Sequence, residues 1–563
     1  MGRGGFCLVL HGHLPWVLHH GWWPHGEVWL YEAVAETWLP LLDMLKRCAD
    51  EGVPAPITLG LTPILLEQLA HRRLRTGFPR WLADQDGHAA RDESEFTARG
   101  DGHLAFLARS WRARFAWLQE RFDAIGGDLP AAFARLDRAG SIEILTSNAT
   151  HALMPLVLHD RSSRAQLRVG VAASEARLGF RPRGAWLPEC AYRPAGPWTP
   201  PAVHGNARAR AGVEEILAHE GISHFFVDAP LFSGARSEGM IGPLGFGKVG
   251  WDQAAWDGER AWRSVLEPHL VTSRGGPGVV AALARHPEVS EQVWSGEVGY
   301  PGDGRYLEFH KKHNVDGNRY WKVTGPGCDL GLKQAYQPDE VAAALYSHAQ
   351  HFCATVRSVL RRHLDKTGRA GVVVAPFDAE LFGHWWHEGT GFLREVFLAL
   401  KDDPIVEACT VGGFLAAHPP DKVVALPEGT WGAGGDLRVW LNDELRWTWE
   451  AAYRAEERFL GALDALPWRV DAPIREALEA GARELLLLQA SDWQFIVHTR
   501  GAVDYGYRRF GEHLARFDRA LTVAGARAGG VPDDDLSRLQ LDEMRAHDGC
   551  FPLLDLEAWS PDA

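Results

Sequence analysis

Two carboxylates stand where short apolar runs end, in surroundings rich in aromatic residues. Glu189 lies in the segment WLPECAYRP (186–194) and Asp378 in the segment APFDAELFGHWW (375–386). If both runs are strands of one parallel sheet, both side chains emerge at the same edge. Two carboxylates that flank a sugar linkage can cleave it, because one attacks or activates water while the other protonates the leaving oxygen. Each could instead cap a helix or pair with an arginine, but the nearby indole and phenol rings favour sugar cleavage.

Three histidines could join these carboxylates. His11 and His13 are two residues apart, so on an extended strand they point to the same side. That geometry suits a metal ion with Glu380 or His384 as further ligands. The alternatives are hydrogen bonds to sugar hydroxyls, or burial with backbone partners, and His151 presents the same choice. Because no third ligand spacing is recognisable, we predict a site without a metal or any other cofactor.

The elements that must position these residues alternate along the chain. Short apolar runs at 6–10, 57–61, 142–146, 185–187, 224–227 and 372–375 are separated by helix-length amphipathic segments. Strands that alternate with helices predict a parallel sheet buried on both faces. Reactive residues at the ends of successive strands indicate an α/β protein with a barrel-type active face. An open doubly wound sheet is the alternative, although no G-x-G-x-x-G follows the first run.

The domain organisation follows from where this alternation breaks. We predict a catalytic domain over 1–418, with an inserted helical subdomain at 75–138 and a long loop region at 229–283. Apolar residues at three- and four-residue spacing then predict an all-helical domain at 419–530. Residues 531–563 form a C-terminal extension.

Composition excludes several function classes. The chain has 59 Lys and Arg against 73 Asp and Glu, a net charge of −14, and no long basic run, which argues against nucleic acid as a partner. No apolar run is long enough to cross a membrane or to act as a signal peptide, so we predict a cytoplasmic protein. The seven scattered cysteines argue against a disulfide framework and against a thiolate zinc site.

Five segments in order resemble the signature regions of glycoside hydrolase family 57. They are HGHLP (11–15), SNATH (147–151), WLPEC (186–190), APFDAELFGH (375–384) and QASDW (489–493). Within that family the branching enzymes are the most similar subgroup, and the segments VWSGEVGYPGD (293–303) and YGYRRF (505–510) are in their style. The resemblance implies a retaining α-1,4-glucan enzyme on an incomplete (β/α)7 barrel, with an inserted helical subdomain and a C-terminal all-helical domain. It also implies that cleaved chains are transferred to a glucose 6-hydroxyl.

The resemblance further implies residue roles. Glu189 matches the nucleophile of the family and Asp378 matches its acid/base. The other residues that it places against the glucan are His11, His13, Trp23, Trp29, His151, Arg285, Trp294, Gly302, Trp431, Trp440 and Asp492.

One departure from the subgroup concerns a loop at about 231–256. The branching enzymes carry a tyrosine at the tip of this loop, whereas this chain has no tyrosine between Tyr192 and Tyr300. Phe246 or Trp251 is therefore expected nearest the cleft, with a mobile loop and a larger hydrolytic fraction. An α-amylase-like hydrolase is the first alternative function. A metal-dependent carbohydrate deacetylase and a non-catalytic glycan-binding protein are further ones.

Overall fold

The computed structural model describes residues 3–203, 205–245, 248–252, 263–296, 298–314 and 317–561, with backbone alone at 242–245 and 248–252. The strands are β1 (Gly4–Gly12), β2 (Ile57–Leu61), β3 (Ile142–Leu145), β4 (Gly184–Ala185), β5 (Gly196–Trp198), β6 (Arg208–Arg210), β7 (His224–Val227), β8 (Arg236–Gly245), β9 (Lys248–Asp252), β10 (His269–Val271), β11 (Val280–Ala284), β12 (Val372–Asp378), β13 (Val406–Ala408) and β14 (Lys422–Ala425). The helices are α1 (Glu27–Ala33), α2 (Leu39–Asp50), α3 (Pro63–Ala70), α4 (Arg72–Ala98), α5 (Gly102–Ala124), α6 (Leu129–Arg138), α7 (Asp160–Leu178), α8 (Val213–His219), α9 (Ala229–Ser233), α10 (Pro287–Trp294), α11 (Val341–Thr367), α12 (Gly389–Leu400), α13 (Val411–Ala417), α14 (Arg446–Ala465), α15 (Ala472–Leu488), α16 (Asp492–His498), α17 (Val503–Ala528) and α18 (Asp535–His547).

The catalytic half is an α/β fold in which parallel strand pairings run in a ring. The order is β12, β1, β2 and β3 in one sheet and β4, β7 and β11 in the other. The Trp186 N–H donates to the Thr146 carbonyl at 2.8 Å and joins β3 to β4. The His286 N–H donates to the Val374 carbonyl at 3.0 Å and joins the end of β11 to β12. Because β1, β2, β7 and β11 are buried throughout, their near-continuous apolar sequences are what a sheet covered on both sides requires.

Four helices lie between β2 and β3, and the long pair α4 and α5 packs together. The starts of α5 and α6 are fixed by aspartate side-chain caps. The Asp101 carboxylate accepts from the Leu104 N–H at the start of α5, and the Asp128 carboxylate accepts from the Ala131 N–H at the start of α6. Tyr320 donates to the buried Asp92 of α4 at 2.7 Å, so this inserted segment also contacts the chain ahead of α11.

The segment 229–283, predicted as a long loop, contains regular structure. It holds α9, the antiparallel hairpin of β8 and β9, and β10, and it runs into β11. The glycines and prolines of β8 read as loop residues in the sequence, but β14 supplies a hydrogen-bonding edge almost two hundred residues further along. Pairing with a distant strand therefore overrides the weak local preference of this segment.

The C-terminal region is helical, and α15 and α17 form its principal packing contact. The last residues are bound to the segment that follows β1. Asp548 accepts from His20 at 2.6 Å and from Arg516 at 2.7 Å, and the Trp16 indole donates to the His547 carbonyl at 2.9 Å. Burial alone would raise the pKa of Asp548, but the His20 hydrogen bond and the neighbouring positive charges bring it well below the usual value. Within the described residues no helix has the length and apolar character to span a membrane.

Candidate active site

Glu189 and Asp378 are presented by different strands of the ring. Glu189 lies in the turn Pro188–Cys190 directly after β4, in the left-handed region with φ 59° and ψ 23°. Asp378 is the last residue of β12 and lies opposite His11 in the parallel register with β1. The left-handed backbone conformation of Glu189 is strained for a non-glycine residue, and such strain concentrates at functional sites. His151 and Cys190 share this conformation.

Trp431 is the principal partner of Glu189. Its indole N–H donates to the Glu189 carboxylate at 2.8 Å, and its backbone N–H donates to the Glu189 carbonyl at 3.0 Å. On the other side, His151 Nδ1 lies 3.9 Å from the second carboxylate oxygen. Trp431 therefore fixes both the backbone and the side chain of Glu189.

Burial makes both carboxyl groups weak acids. It raises the pKa of Glu189 to about 8, and the charges of Asp378 and Asp492 add to this effect while the Trp431 hydrogen bond opposes it. Burial also raises the pKa of Asp378 to about 6, against the influence of His13. Perturbed carboxyl groups of this kind mark functional sites.

The three predicted histidines form one stacked cluster. The Nε2 atoms of His11 and His151 lie 3.1 Å apart, and the rings of His13 and His151 stack with centroids 3.9 Å apart. Because one Nε2 must donate a hydrogen bond to the other, the two Nε2 atoms cannot both bind a metal ion in this arrangement. Burial lowers the pKa values of His11 and His151 well below the usual value, so both are neutral at pH 7 and suited to hydrogen bonding. Trp186 stacks on His11 at 4.7 Å and closes the cluster.

Asp492 enters this cluster from the helical region. Both of its carboxylate oxygens lie 3.0 Å from His13 Nε2, while His13 Nδ1 contacts the Thr62 hydroxyl at 3.1 Å. The neighbouring Ser491 hydroxyl lies 3.0 Å from His151 Nδ1. The start of α16 therefore packs over the strand ends of the ring.

The remaining predicted residues lie at different depths. Arg285 forms a two-point ion pair with Asp228, at 2.9 and 2.8 Å, with its guanidinium 5.9 Å from the centre of the Trp431 ring. Trp294 is 36% exposed and contacts the Trp431 ring edge-on at 6.0 Å. Both therefore border the wall of the site next to Glu189.

Two of the predicted tryptophans lie near the start of α1. Trp23 is half exposed, and Trp29 packs edge-on against Tyr505 at 5.3 Å. Trp440 differs, because it is 1% exposed and so presents no open ring face for a sugar. The ring beside it at the surface is that of Phe495, 6.5 Å away.

Gly302 lies in a short turn after α10. Gly302 ends the turn Tyr300–Gly302, and a Cβ there would lie 3.8 Å from the Gly296 carbonyl. Among the contacts of the described residues, none links Gly302 to either carboxylate. Phe246 lies outside the described residues, and Trp251 is described only as part of the β9 backbone.

Three contact residues were absent from the predicted set, although a signal existed for two of them. Thr62 and Asp228 directly follow β2 and β7, so the strand-end rule that found Glu189 and Asp378 applies to them as well. Ser491 belongs to the QASDW segment. Its role depended on a contact with His151 across 340 residues, which no local pattern reveals.

Two other features lie away from these carboxylates. A cavity of about 900 Å³ separates α7 from the C-terminal segment, and Arg177 and Arg469 line it. Glu484, His513 and Asp548 form a buried cluster compact enough for a metal ion. However, Arg516 bonds Asp548 and Arg509 bonds His513, so positive charge already occupies the surroundings of this cluster.

Two partly buried carboxyl groups at the strand ends of an α/β fold, bordered by tryptophan rings and neutral imidazoles, define an enzyme that acts on glycosidic bonds. The chain matches the model of glycosyl hydrolase family 57 over residues 7–427, and it belongs to that family. Residues 451–559 match the model described as 1,4-alpha-glucan branching enzyme, C-terminal. The resemblance drawn from the five sequence segments is thereby confirmed.

Sequence relatives and solved structures are similar to this chain over most of its length. The chain is 38% identical over 518 residues to a 1,4-alpha-glucan branching enzyme of Thermococcus kodakarensis, covering 92% of this chain and 73% of that one. It is 32% identical to a probable 1,4-alpha-glucan branching enzyme of Mycobacterium tuberculosis, covering 98% and 97%. The GH57-type branching enzyme of Pyrococcus horikoshii superposes with TM-score 0.88 at 34% identity, covering 99% and 96%. The alpha-amylase AmyC of Thermotoga maritima gives 0.82 at 28% identity, with full coverage of both chains.

Proposed function

We propose that this protein is a retaining 1,4-α-glucan branching enzyme. The observation that carries the proposal is the partly buried pair Glu189 and Asp378, whose charges interact, together with the Trp431 hydrogen bond and the histidine cluster, in a chain with both matching family regions. The substrate is an α-1,4-glucan. Neutral imidazoles and indole faces suit an uncharged, hydroxyl-rich ligand, and no step of the reaction needs a cofactor.

In the proposed reaction Glu189 attacks the anomeric carbon while Asp378 protonates the departing chain. The glycosyl-enzyme then accepts either water or the 6-hydroxyl of another glucan chain, whose proton returns to Asp378. Attack by the 6-hydroxyl creates an α-1,6 branch, and attack by water is hydrolysis. Arg285, Trp294 and Asp492 line the site on the sides of Trp431 and His13, where they would hold the sugar in position.

The pKa values of the two carboxyl groups fall in the opposite order to these roles. Burial raises the pKa of Glu189 to about 8 and that of Asp378 to about 6, so Glu189 is the weaker acid of the two. Positive charge that develops at the anomeric carbon stabilises the carboxylate beside it, and a glycosidic oxygen stabilises a proton on Asp378. Substrate binding therefore moves the proton to Asp378. The order of the pKa values favours the alternative in which Asp378 is the nucleophile and Glu189 is the acid/base.

A trapping experiment assigns the roles. A fluorinated maltosyl fluoride that forms a long-lived glycosyl-enzyme is incubated with the protein, and the labelled peptide is sequenced by mass spectrometry. A label on Glu189 supports the proposed roles, and a label on Asp378 would exchange them. Inverting chemistry leaves no covalent label on either residue.

We also propose that the seven parallel strands of the ring form the incomplete (β/α)7 barrel expected for this family. Support comes from the backbone hydrogen bonds at the joints between the two sheets, Trp186 to Thr146 and Thr146 to Gly184 at one joint and His286 to Val374 at the other. With this arrangement the strand ends that carry His11, Thr62, Glu189 and Asp378 face one mouth.

Hydrolysis in the manner of an α-amylase is the second candidate function. The likeness to AmyC and the absence of a tyrosine between Tyr192 and Tyr300 favour it. Incubation with amylose, followed by assay of both reducing ends and α-1,6 linkages, separates the two. Branching predicts α-1,6 linkages in excess of new reducing ends, whereas reducing ends without α-1,6 linkages would establish hydrolysis.

A further inference from the structure

Two exposed aromatic rings and one partly exposed ring, that of Tyr507, lie on the helical region beyond the carboxylates. Trp447, in the first turn of α14, is 44% exposed, and its ring lies 5.9 Å from that of Tyr507 with 34° between the planes. Phe495 of α16 is also 44% exposed. We call Trp447, Tyr507 and Phe495 the distal aromatic surface. Large rings left open to water in this way commonly mark binding surfaces.

These rings are held in fixed positions. Trp447 packs edge-on against the buried Phe510 at 5.3 Å. Beside it, Arg500 donates twice to Glu444 at 2.8 Å, and the Tyr507 hydroxyl donates to the same carboxylate at 3.3 Å. A rigid aromatic ring loses little conformational entropy when a ligand stacks on it.

The distal aromatic surface lies on helices that are connected to the catalytic site. Phe495 lies one helical turn after Asp492, which contacts His13. The Trp449 indole donates to the Trp440 carbonyl at 2.9 Å, so α14 is bonded to the loop that carries Trp431. Both connections lead from a residue at the carboxylates to an exposed ring on the same helical region.

We propose that the distal aromatic surface binds the α-glucan chain at a distance from the reacting bond. Flat rings stack on the apolar faces of glucose units, and the partly exposed Glu444 and Arg500 can exchange hydrogen bonds with glucose hydroxyls. A neutral polymer suits this surface because the ion pair beside the rings, Arg500 with Glu444, carries no net charge. This inference rests on the proposed action on α-glucan, and it assigns long chains as the preferred substrate.

Binding can be measured without catalysis. In a Glu189→Gln background, affinity electrophoresis in gels that contain amylopectin compares the parent with the Trp447→Ala/Tyr507→Ala variant. We expect the double variant to bind about tenfold more weakly, because two stacking faces are lost. The matched control is Tyr346→Ala, which removes an exposed ring from α11 and should leave affinity unchanged. Equal affinity of the double variant and its parent would refute the inference.

A second comparison guards against misfolding. If thermal unfolding shows that the double variant is less stable, Trp447→Phe keeps a ring with a smaller face and should lose about threefold in affinity. An unchanged affinity in that variant also counts against the surface. In catalytically intact protein, the ratio of turnover on long amylose to turnover on a short maltooligosaccharide should fall in the double variant.

The outcome also separates this inference from the proposed function. If the protein forms α-1,6 linkages but its affinity for amylopectin does not depend on Trp447 and Tyr507, the proposed function stands and the inference about the distal aromatic surface is wrong. If the protein forms no α-1,6 linkages but the double variant loses affinity for amylopectin, the inference about the distal aromatic surface stands and the proposed branching function is wrong.

Discussion

Trp431 and Glu189 are joined twice, indole to carboxylate at 2.8 Å and backbone to backbone at 3.0 Å, across 242 residues of chain. The side-chain bond is the one influence on Glu189 that lowers its pKa, since burial and the charges of Asp378 and Asp492 all raise it. The nucleophilic form of this carboxyl group therefore depends on a residue outside the strand that carries it.

Replacing Trp431 with Phe should keep the ring and remove the donor. We expect the pKa of Glu189 to rise, so that the limb on which activity increases with pH moves to higher pH. A hydrogen bond to a charged group contributes about 1.5–3 kcal/mol, so turnover near pH 7 should fall about 10- to 100-fold. The measurement is the pH–rate profile on amylose. Trp294→Phe is the control, because the Trp294 indole donates to the Pro376 carbonyl at 3.3 Å and not to a carboxylate.

Glu189 should lower the stability of the folded protein at neutral and alkaline pH. Its pKa rises from 4.5 to about 8 on folding, so the stability that its proton contributes is complete below pH 4.5 and is lost as pH rises through about 8. Glu189→Gln should therefore increase the free energy of unfolding at pH 8 by about 1–3 kcal/mol, with a smaller difference at pH 5. Urea denaturation at the two pH values provides the test. A variant that is less stable at pH 8 would contradict the burial of an ionisable carboxyl group.

His13 and Asp492 should act as a unit, because both carboxylate oxygens contact the imidazole. We expect His13→Ala and Asp492→Ala each to lower kcat/KM on amylose, and the double variant to be scarcely worse than either. The coupling should be about 1–3 kcal/mol, as found for residues of one hydrogen-bond network. Additive losses in this double-mutant cycle would mean that the two side chains serve independently.

Phe246 and Trp251, which the sequence offers in place of the loop tyrosine, should influence the fate of the glycosyl-enzyme. Phe246→Tyr adds a hydroxyl at the position expected nearest the cleft, and we expect more α-1,6 linkages for each reducing end released. A tenfold change in this ratio corresponds to about 1.4 kcal/mol between the two competing barriers. Trp251→Tyr is the companion variant. If neither change alters the ratio, these two positions do not control partition between water and the acceptor chain.

The strand-end residues could be predicted because their signal is local. A buried apolar run followed by a reactive side chain indicated Glu189, Asp378 and His11, and the register of β1 with β12 places His11 opposite Asp378. Family membership and the α/β fold with a helical C-terminal region were likewise available from short segments in order.

What could not be predicted depends on partners far apart in the chain. The contact of His13 with Asp492 spans 479 residues, and that of Trp431 with Glu189 spans 242. The β8–β9 hairpin was missed for the same reason, since its edge partner β14 lies far ahead in sequence. The burial of Trp440 depends on packing among loops and helices, which residue type alone does not encode.

The bond between Asp548 and His20 has a consequence for how the protein is made. The segment that follows β1 is synthesised long before its partners, because 531 residues separate Trp16 from His547 and 528 separate His20 from Asp548. Domains generally fold as units while the chain emerges. Here His20 and Trp16 must wait until the C-terminal helical region has been synthesised, so their contacts form only after every strand of the ring has already emerged.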